Sequence, residues 1–185
     1  MLPSPQRVWN AISRRIRHAR VLAQACRTTR QVLDSKPGGT VLVLCYGNIY
    51  RSPFVERKVA AALDPGRWEV RSAGFHPRTG RECAPDYIKL ASEYGVDLSD
   101  HRSKCVSKED ILESDVVVIM DRRNWDQLNE LAPEASSKVV WIGCALRDGQ
   151  PEVQDPYARS EHEVRQIVER LNSVTESLAR MFSSG

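Results

Sequence analysis

A chain of 185 residues with 41% hydrophobic and 28% charged side chains is sized and composed for one soluble domain and a modest extension. No apolar run approaches the ~20 residues that cross a bilayer. The five cysteines (Cys26, Cys45, Cys83, Cys105, Cys144) are odd in number, scattered and without a CxxC pair, which speaks for free thiols in a reducing cytoplasm and against a disulfide framework.

The net charge of +3 hides an asymmetry. Residues 1–38 hold eight Arg or Lys against one acid, Asp34, a net of +7, whereas the rest holds 19 basic and 23 acidic side chains, −4. A basic arm thus precedes a mildly acidic body at 39–185, and no nucleic-acid reader motif accompanies it. Within the arm, Val8, Trp9, Ile12, Ile16, Ala19, Ala23 and Cys26 recur at helical spacing and predict an apolar helix face, with Arg14, Arg17 and Arg20 mostly elsewhere. Such a helix suits peripheral contact with an anionic membrane, docking to a partner, a transit segment, or plain packing on the domain. "KPGGT" at 36–40 breaks it.

Beyond that break, short apolar runs alternate with amphipathic stretches. Strands are expected at 40–45, 68–73, 115–121 and 138–143, and helices at 53–63, 84–94, 108–113, 124–131 and from 161 to about 181. The last has a capping box, Ser160 with Glu163, and a stripe of Val164, Ile167, Val168, Leu171, Val174 and Leu178. Alternation of this kind predicts an α/β fold with a parallel sheet covered on both faces, and ligands bind beyond the carboxyl ends of its strands.

Cys45 stands at one of those ends and opens "CYGNIYRSP". Gly47 and Asn48 tolerate backbone conformations that let successive N–H groups turn inward on one anion. Ser52 then reads as an N-cap and Pro53 as the first helical residue, so that the helix aims its positive end into the cradle. Arg51 adds a planar fork for two phosphate oxygens. Thiol pKa values fall from ~8.5 to ~3.5–7.5 in such surroundings, so Cys45 is expected to be a thiolate, with Ser52 donating to its sulfur. A cysteine followed six residues later by arginine is short enough for chance, and a plain turn would also explain it; the strand before and the Ser-Pro helix start after give it weight. "DPY" at 155–157 supplies a carboxyl group, Asp155, on a polar loop where it could protonate a leaving oxygen and later take a proton from water; alone, Asp-Pro is a turn signal.

"CYGNIYRSP" and "DPY", with "RSAG" at 71–74, "GVDLSDHRSK" at 95–104 and "MDRRNWDQL" at 120–128, closely resemble the low-molecular-weight protein tyrosine phosphatase family over Thr40 to about Phe182. The resemblance implies a flavodoxin-like, three-layer doubly wound fold on a four-stranded parallel sheet, no metal or cofactor, and hydrolysis of phosphotyrosine through a phosphocysteine. It casts Cys45 as nucleophile, Arg51 as phosphate clamp and Asp155 as general acid and base. Asn48, Ser52, Ser72 and His101 would support the loop, and Gly47, Asn48, Ile49, Tyr50, Ser52 and Tyr157 would meet substrate, with Phe75 or His76 as an opposite wall. His101 and Tyr157 read by themselves as a solvated loop histidine and an aromatic over the last helix.

One residue departs from the pattern. The family usually has a second cysteine where this chain has Tyr50, so oxidation of Cys45 is expected to run on to irreversible states. Ile49 favours an aromatic leaving group, whereas relatives acting on phosphoarginine tend to have threonine there. Arsenate reductases share the loop but need closely spaced relay cysteines, which Cys83, Cys105 and Cys144 do not provide. A reader module that binds phosphotyrosine without turnover is suggested only by Tyr50. The expected partner is a tyrosine-phosphorylated protein, with a bacterial tyrosine kinase as a family-level option.

Overall fold

The computed structural model describes residues 5–183, with side chains from residue 20 onward. Helix α1 (Pro5–Asp34) leads to strand β1 (Gly39–Cys45), α2 (Arg51–Ala62), β2 (Trp68–Gly74), α3 (Pro85–Ser92), α4 (Lys108–Glu113), β3 (Val116–Ile119), α5 (Arg122–Leu131), β4 (Val139–Trp141) and α6 (Glu161–Ser183). The four strands form one parallel sheet in the order β2-β1-β3-β4. Each predicted strand and helix of the body is present, with ends moved by a few residues.

The twofold alternation of a strand divides β1 between two cores. Val41, Val43 and Cys45 face one side with Phe54, Val55 and Val59 of α2 and Val168, Leu171, Val174 and Leu178 of α6. Leu42 and Leu44 face the other, with Leu128 of α5 and Ala25 of α1. β1 is central and its neighbours are connected in opposite directions, so its carboxyl end lies at the topological switch point. That is where Cys45 sits. The Ser160–Glu163 capping box forms, with Ser160 N donating to Glu163 at 2.9 Å.

The amino-terminal helix departs from the reading of its sequence. The predicted face lies mostly in residues 8–19, whose side chains are outside the described residues, and Ala23 is exposed. The buried or half-buried face is instead Val21, Leu22, Ala25, Cys26, Thr29, Val32 and Leu33, and it covers the β4 edge of the sheet. The Trp141 N–H of that edge strand donates to Thr29 Oγ1 at 3.0 Å, which occupies a donor that an open edge would leave unpaired. The expectation of five free thiols is overturned by a disulfide between Cys26 and Cys144. The two are 118 residues apart in sequence, but packing of α1 beside the turn after β4 brings their Cα atoms within 4.9 Å. Cys45, Cys83 and Cys105 are free.

Candidate active site

The cradle forms where β1 passes into α2. Asn48 takes the left-handed conformation, φ +50°, which an asparagine tolerates. Gly47, expected to share that role, does not have a positive φ. Its missing Cβ serves the loop differently, since one would lie 3.2 Å from the Ile49 side chain. The end of β2 presses on the same loop: a Cβ on Gly74 would meet Tyr46 O at 2.8 Å and Asn48 N at 2.9 Å.

Hydrogen bonds around Asn48 settle the direction of the protons. Lys104 N can only donate, and it lies 2.8 Å from Asn48 Oδ1, so Nδ2 is the donor to Ser52 Oγ at 2.9 Å and to Ser72 Oγ at 2.8 Å. The Ser72 hydroxyl in turn donates to Glu56. Ser52 Oγ, which accepts from Asn48, lies 3.0 Å from Cys45 Sγ and 3.4 Å from Ala73 O, so its one proton can go to the sulfur whenever that is a thiolate. Asn48 N–H donates to the same sulfur at 3.1 Å. Ser52 is therefore not the helix N-cap that the Ser-Pro pair suggested. The helix begins two residues earlier, at Arg51 after Tyr50, and the Ser52 hydroxyl faces the sulfur from its first turn. His101 Nε2 donates to Asn48 O at 2.8 Å and is buried, so it is a loop support and not a solvated histidine. Burial pushes its pKa below the ordinary histidine value, against the opposing pull of that backbone bond.

Arg51 is 1% exposed and holds two carboxylates. Its Nη1 donates to Asp121 Oδ2 at 2.5 Å and to Val153 O at 2.9 Å, and its Nη2 to Asp155 Oδ2 at 2.7 Å. Burial works against its charge, but Cys45, Asp121 and Asp155 outweigh burial and hold its pKa above the ordinary value. Nε is buried without a protein partner. Asp155 Oδ1 also accepts from Tyr157 N at 3.2 Å, an Asx turn made by the "DPY" loop.

The open side of Cys45 is a cleft of about 260 Å³. Gly47, Ile49, Tyr50, Arg51, Asp155 and the largely exposed Tyr157 line it, whereas Asn48 and Ser52, also expected to meet substrate, are fully buried and outside the lining. Of the two candidates for the opposite wall, His76 is there and Phe75 packs into the β4-side core. Tyr50 does not crowd the cleft. Its ring meets Tyr87 edge-on at 4.7 Å, and Tyr87 Oη donates to Tyr50 O at 3.0 Å. Four contributors were not singled out from sequence: Tyr46, Arg81 and Arg123 in the lining, and Asp121 behind Arg51. Asp121 alone had a local signal. It stands between a strand and a helix, and it caps α5 by accepting from Asn124 N at 3.0 Å while also holding Arg51.

The family described as low molecular weight phosphotyrosine protein phosphatase matches residues 40–184. The chain is 32% identical over 141 residues to a probable low molecular weight protein-tyrosine-phosphatase, AmsI, of Erwinia amylovora, spanning 76% of this chain and 92% of that protein. Among solved structures it resembles the tyrosine phosphatase Wzb of Escherichia coli K30 in complex with sulphate, with TM-score 0.69, 28% identity, and coverage of 76% of this chain and 96% of the other. It also resembles the YwlE arginine phosphatase of Geobacillus stearothermophilus, with TM-score 0.70, 26% identity, and coverage of 79% and 94%.

Proposed function

Because the chain belongs to the low molecular weight phosphotyrosine protein phosphatase family, we infer that it hydrolyses phosphotyrosine in proteins through a phosphocysteine on Cys45. The observation that carries this reading is the meeting of a hydrogen-bonded sulfur, a buried guanidinium and a carboxyl group at one strand end. Cys45 Sγ attacks phosphorus, and the bond to the tyrosyl oxygen breaks. Arg51 holds the equatorial oxygens with its remaining donors, Nε–H and one Nη2–H. Asp155 gives its proton to the departing phenoxide, whose conjugate acid has a pKa of ~10. An arriving phosphate dianion competes with Asp155 for Arg51, which releases the carboxyl group toward the leaving oxygen. In the second step Asp155 takes a proton from water, the oxygen attacks phosphorus, and the S–P bond breaks while Ser52 donates to the departing sulfur. Gly47, Asn48, Ser72 and His101 keep the cradle in shape for both steps.

Ile49, Tyr46, Tyr50 and Tyr157 make the walls apolar and aromatic, which supports phosphotyrosine over phosphoarginine. Phosphate release from a phosphotyrosine peptide, without added metal, tests the reading. Cys45→Ser is expected to lower turnover at least ~10³-fold; turnover that survives refutes the covalent route, and a peptide that binds to both proteins but is never hydrolysed makes the chain a reader module. Asp155→Asn should reduce kcat ~10²–10³-fold on phosphotyrosine and much less on p-nitrophenyl phosphate, whose leaving group needs little protonation. Equal losses on both would remove Asp155 from the acid role.

Among the described residues no helix is long and apolar enough to cross a membrane. We place the protein in the cytoplasm, where Cys45 stays reduced, with a tyrosine-phosphorylated protein as partner and a bacterial tyrosine kinase as the specific form of that proposal. Arg20, Arg27 and Arg30 are exposed on the outer side of α1. They are where a peripheral contact with an anionic membrane would form, and their joint replacement by Gln should then abolish co-sedimentation with anionic vesicles.

A further inference from the structure

The mouth of the cleft is basic in a way the chemistry at Cys45 does not require. Most of the arginines of the body hold carboxylates: Arg51, Arg57, Arg71, Arg102, Arg122, Arg159, Arg165 and Arg170 are all ion-paired. Arg81 and Arg123, both in the lining, have no carboxylate partner among the described residues, although Arg122 beside Arg123 pairs with Asp126 at 2.8 Å. Nor are the two loose.

Arg123 sits over the Tyr46 ring, its Cζ 3.4 Å from the centroid, and Tyr46 also makes an edge contact with His76 at 5.5 Å. This cation–π contact holds the guanidinium in place without using its N–H donors. Arg81 is tied at both ends. Its backbone N donates to Ser103 Oγ at 3.0 Å, its Nε to Arg78 O at 3.1 Å, and its Nη2 to Gly47 O in the cradle itself. Its Nη1 has no acceptor among the described residues. Asp155, the acid in the same lining, is already held by Arg51. Two pre-positioned cations with free donors therefore flank an opening whose only carboxylate, among the described residues, is engaged.

We propose that Arg81 and Arg123 form a substrate-reading rim that selects phosphotyrosine carrying acidic residues next to it in the chain. A phosphotyrosine with its phosphorus at Cys45 leaves its own backbone at the mouth, so the neighbouring side chains come to these two residues. Rim charges of this sort act on selection more than on the chemical step. The inference rests on the phosphatase reading, so its test has an arm that does not depend on turnover.

Two phosphotyrosine peptides of equal length are compared, one with Glu and Asp on both flanks and one with Gln and Asn. At low salt the acidic peptide should have a kcat/KM roughly three- to tenfold higher, the product of two exposed ion pairs, and the advantage should shrink toward unity at about 0.5 M salt. Arg123→Gln and Arg81→Gln should each remove part of that ratio, and Arg123→Glu should reverse it in favour of a Lys-flanked peptide. Arg123 is exposed, so its variants test the rim even if Arg81→Gln disturbs the cradle through Gly47. The same ratio is read as Kd on the full chain carrying Cys45→Ser. If neither peptide is hydrolysed by the native chain, the phosphatase reading fails while the Kd ratio still decides the rim. Equal values for both peptides, in kcat/KM or in Kd, overturn the proposal.

Discussion

The amide of Asn48 governs how protons run around Cys45, because one backbone N–H from Lys104 fixes which end of it donates. That single orientation leaves the Ser52 hydroxyl facing the sulfur and the Ser72 hydroxyl donating to Glu56. His101 completes the arrangement from the other side, and its titration gives a direct test. Burial holds its pKa below the ordinary value of ~6.5, so the folded state resists the proton that the unfolded chain accepts. The stability contributed by the neutral ring is full above ~6.5 and is lost as pH falls through that value toward the lower folded pKa. His101→Gln retains a donor for Asn48 O but does not titrate. Between pH 7.5 and 5.5 the native chain should lose more Tm than His101→Gln does, and parallel losses would show that the ring carries no such linkage. Sequence alone led to Asn48, Ser52, Ser72 and His101 through a family pattern, and the structure supplies the reason each is there. Glu56, Tyr46, Arg81 and Arg123 stayed hidden because a residue that accepts a hydrogen bond behind a loop or rims a cleft has no local spacing to mark it.

Secondary structure was readable wherever one element made its own case, as in the continuous apolar run of β3 or the capped, striped α6. It was not readable for α1, whose inner face includes a threonine. Hydrophobic periodicity cannot anticipate that Thr29 is buried because an edge strand has an N–H to place. Nor can cysteine spacing show that Cys26 and Cys144 meet, since that depends on where the helix docks. The described part of α1 is thus part of the domain's packing and not merely an attached arm. Thr29→Val keeps the volume and the β-branch but leaves Trp141 N–H buried and unpaired, at a cost of about 1–3 kcal/mol. A lowered urea midpoint with an unchanged m-value is the expected result. An unchanged midpoint would mean that the edge N–H finds water and that α1 contributes no seal. Because Thr29 bonds the β4 edge and is not among the residues lining the cleft, kcat/KM should stay the same.

Taken over the whole chain, the cysteines are distributed so that Cys45 has no neighbour ready to rescue it. Cys26 and Cys144 are bound to each other. Cys83 is buried, and burial, reinforced by the charge of Cys45, pushes its thiol up to about 11, so at neutral pH it is almost entirely the poorly nucleophilic thiol. The loop position adjoining Arg51 is Tyr50, fixed against Tyr87, and its phenol is held protonated by burial and by nearby Asp155. A sulfenic acid formed on Cys45 by peroxide therefore meets more peroxide before it meets a thiolate of the same chain, and passes to the sulfinic state. Inactivation by hydrogen peroxide should be only partly reversed by dithiothreitol, and the recoverable fraction should fall as exposure lengthens. Inorganic phosphate in the cleft should slow the loss by covering the sulfur. Tyr50→Cys places a thiol in the same loop and should restore most of the recovery, with a disulfide between Cys45 and the introduced thiol visible in the intact mass before reduction. Full recovery of the native chain by dithiothreitol after long exposure would overturn this account, because it would mean that a thiol of the chain traps the sulfenic acid; Cys105, free and exposed but outside the cleft lining, would then be the one to replace by Ser.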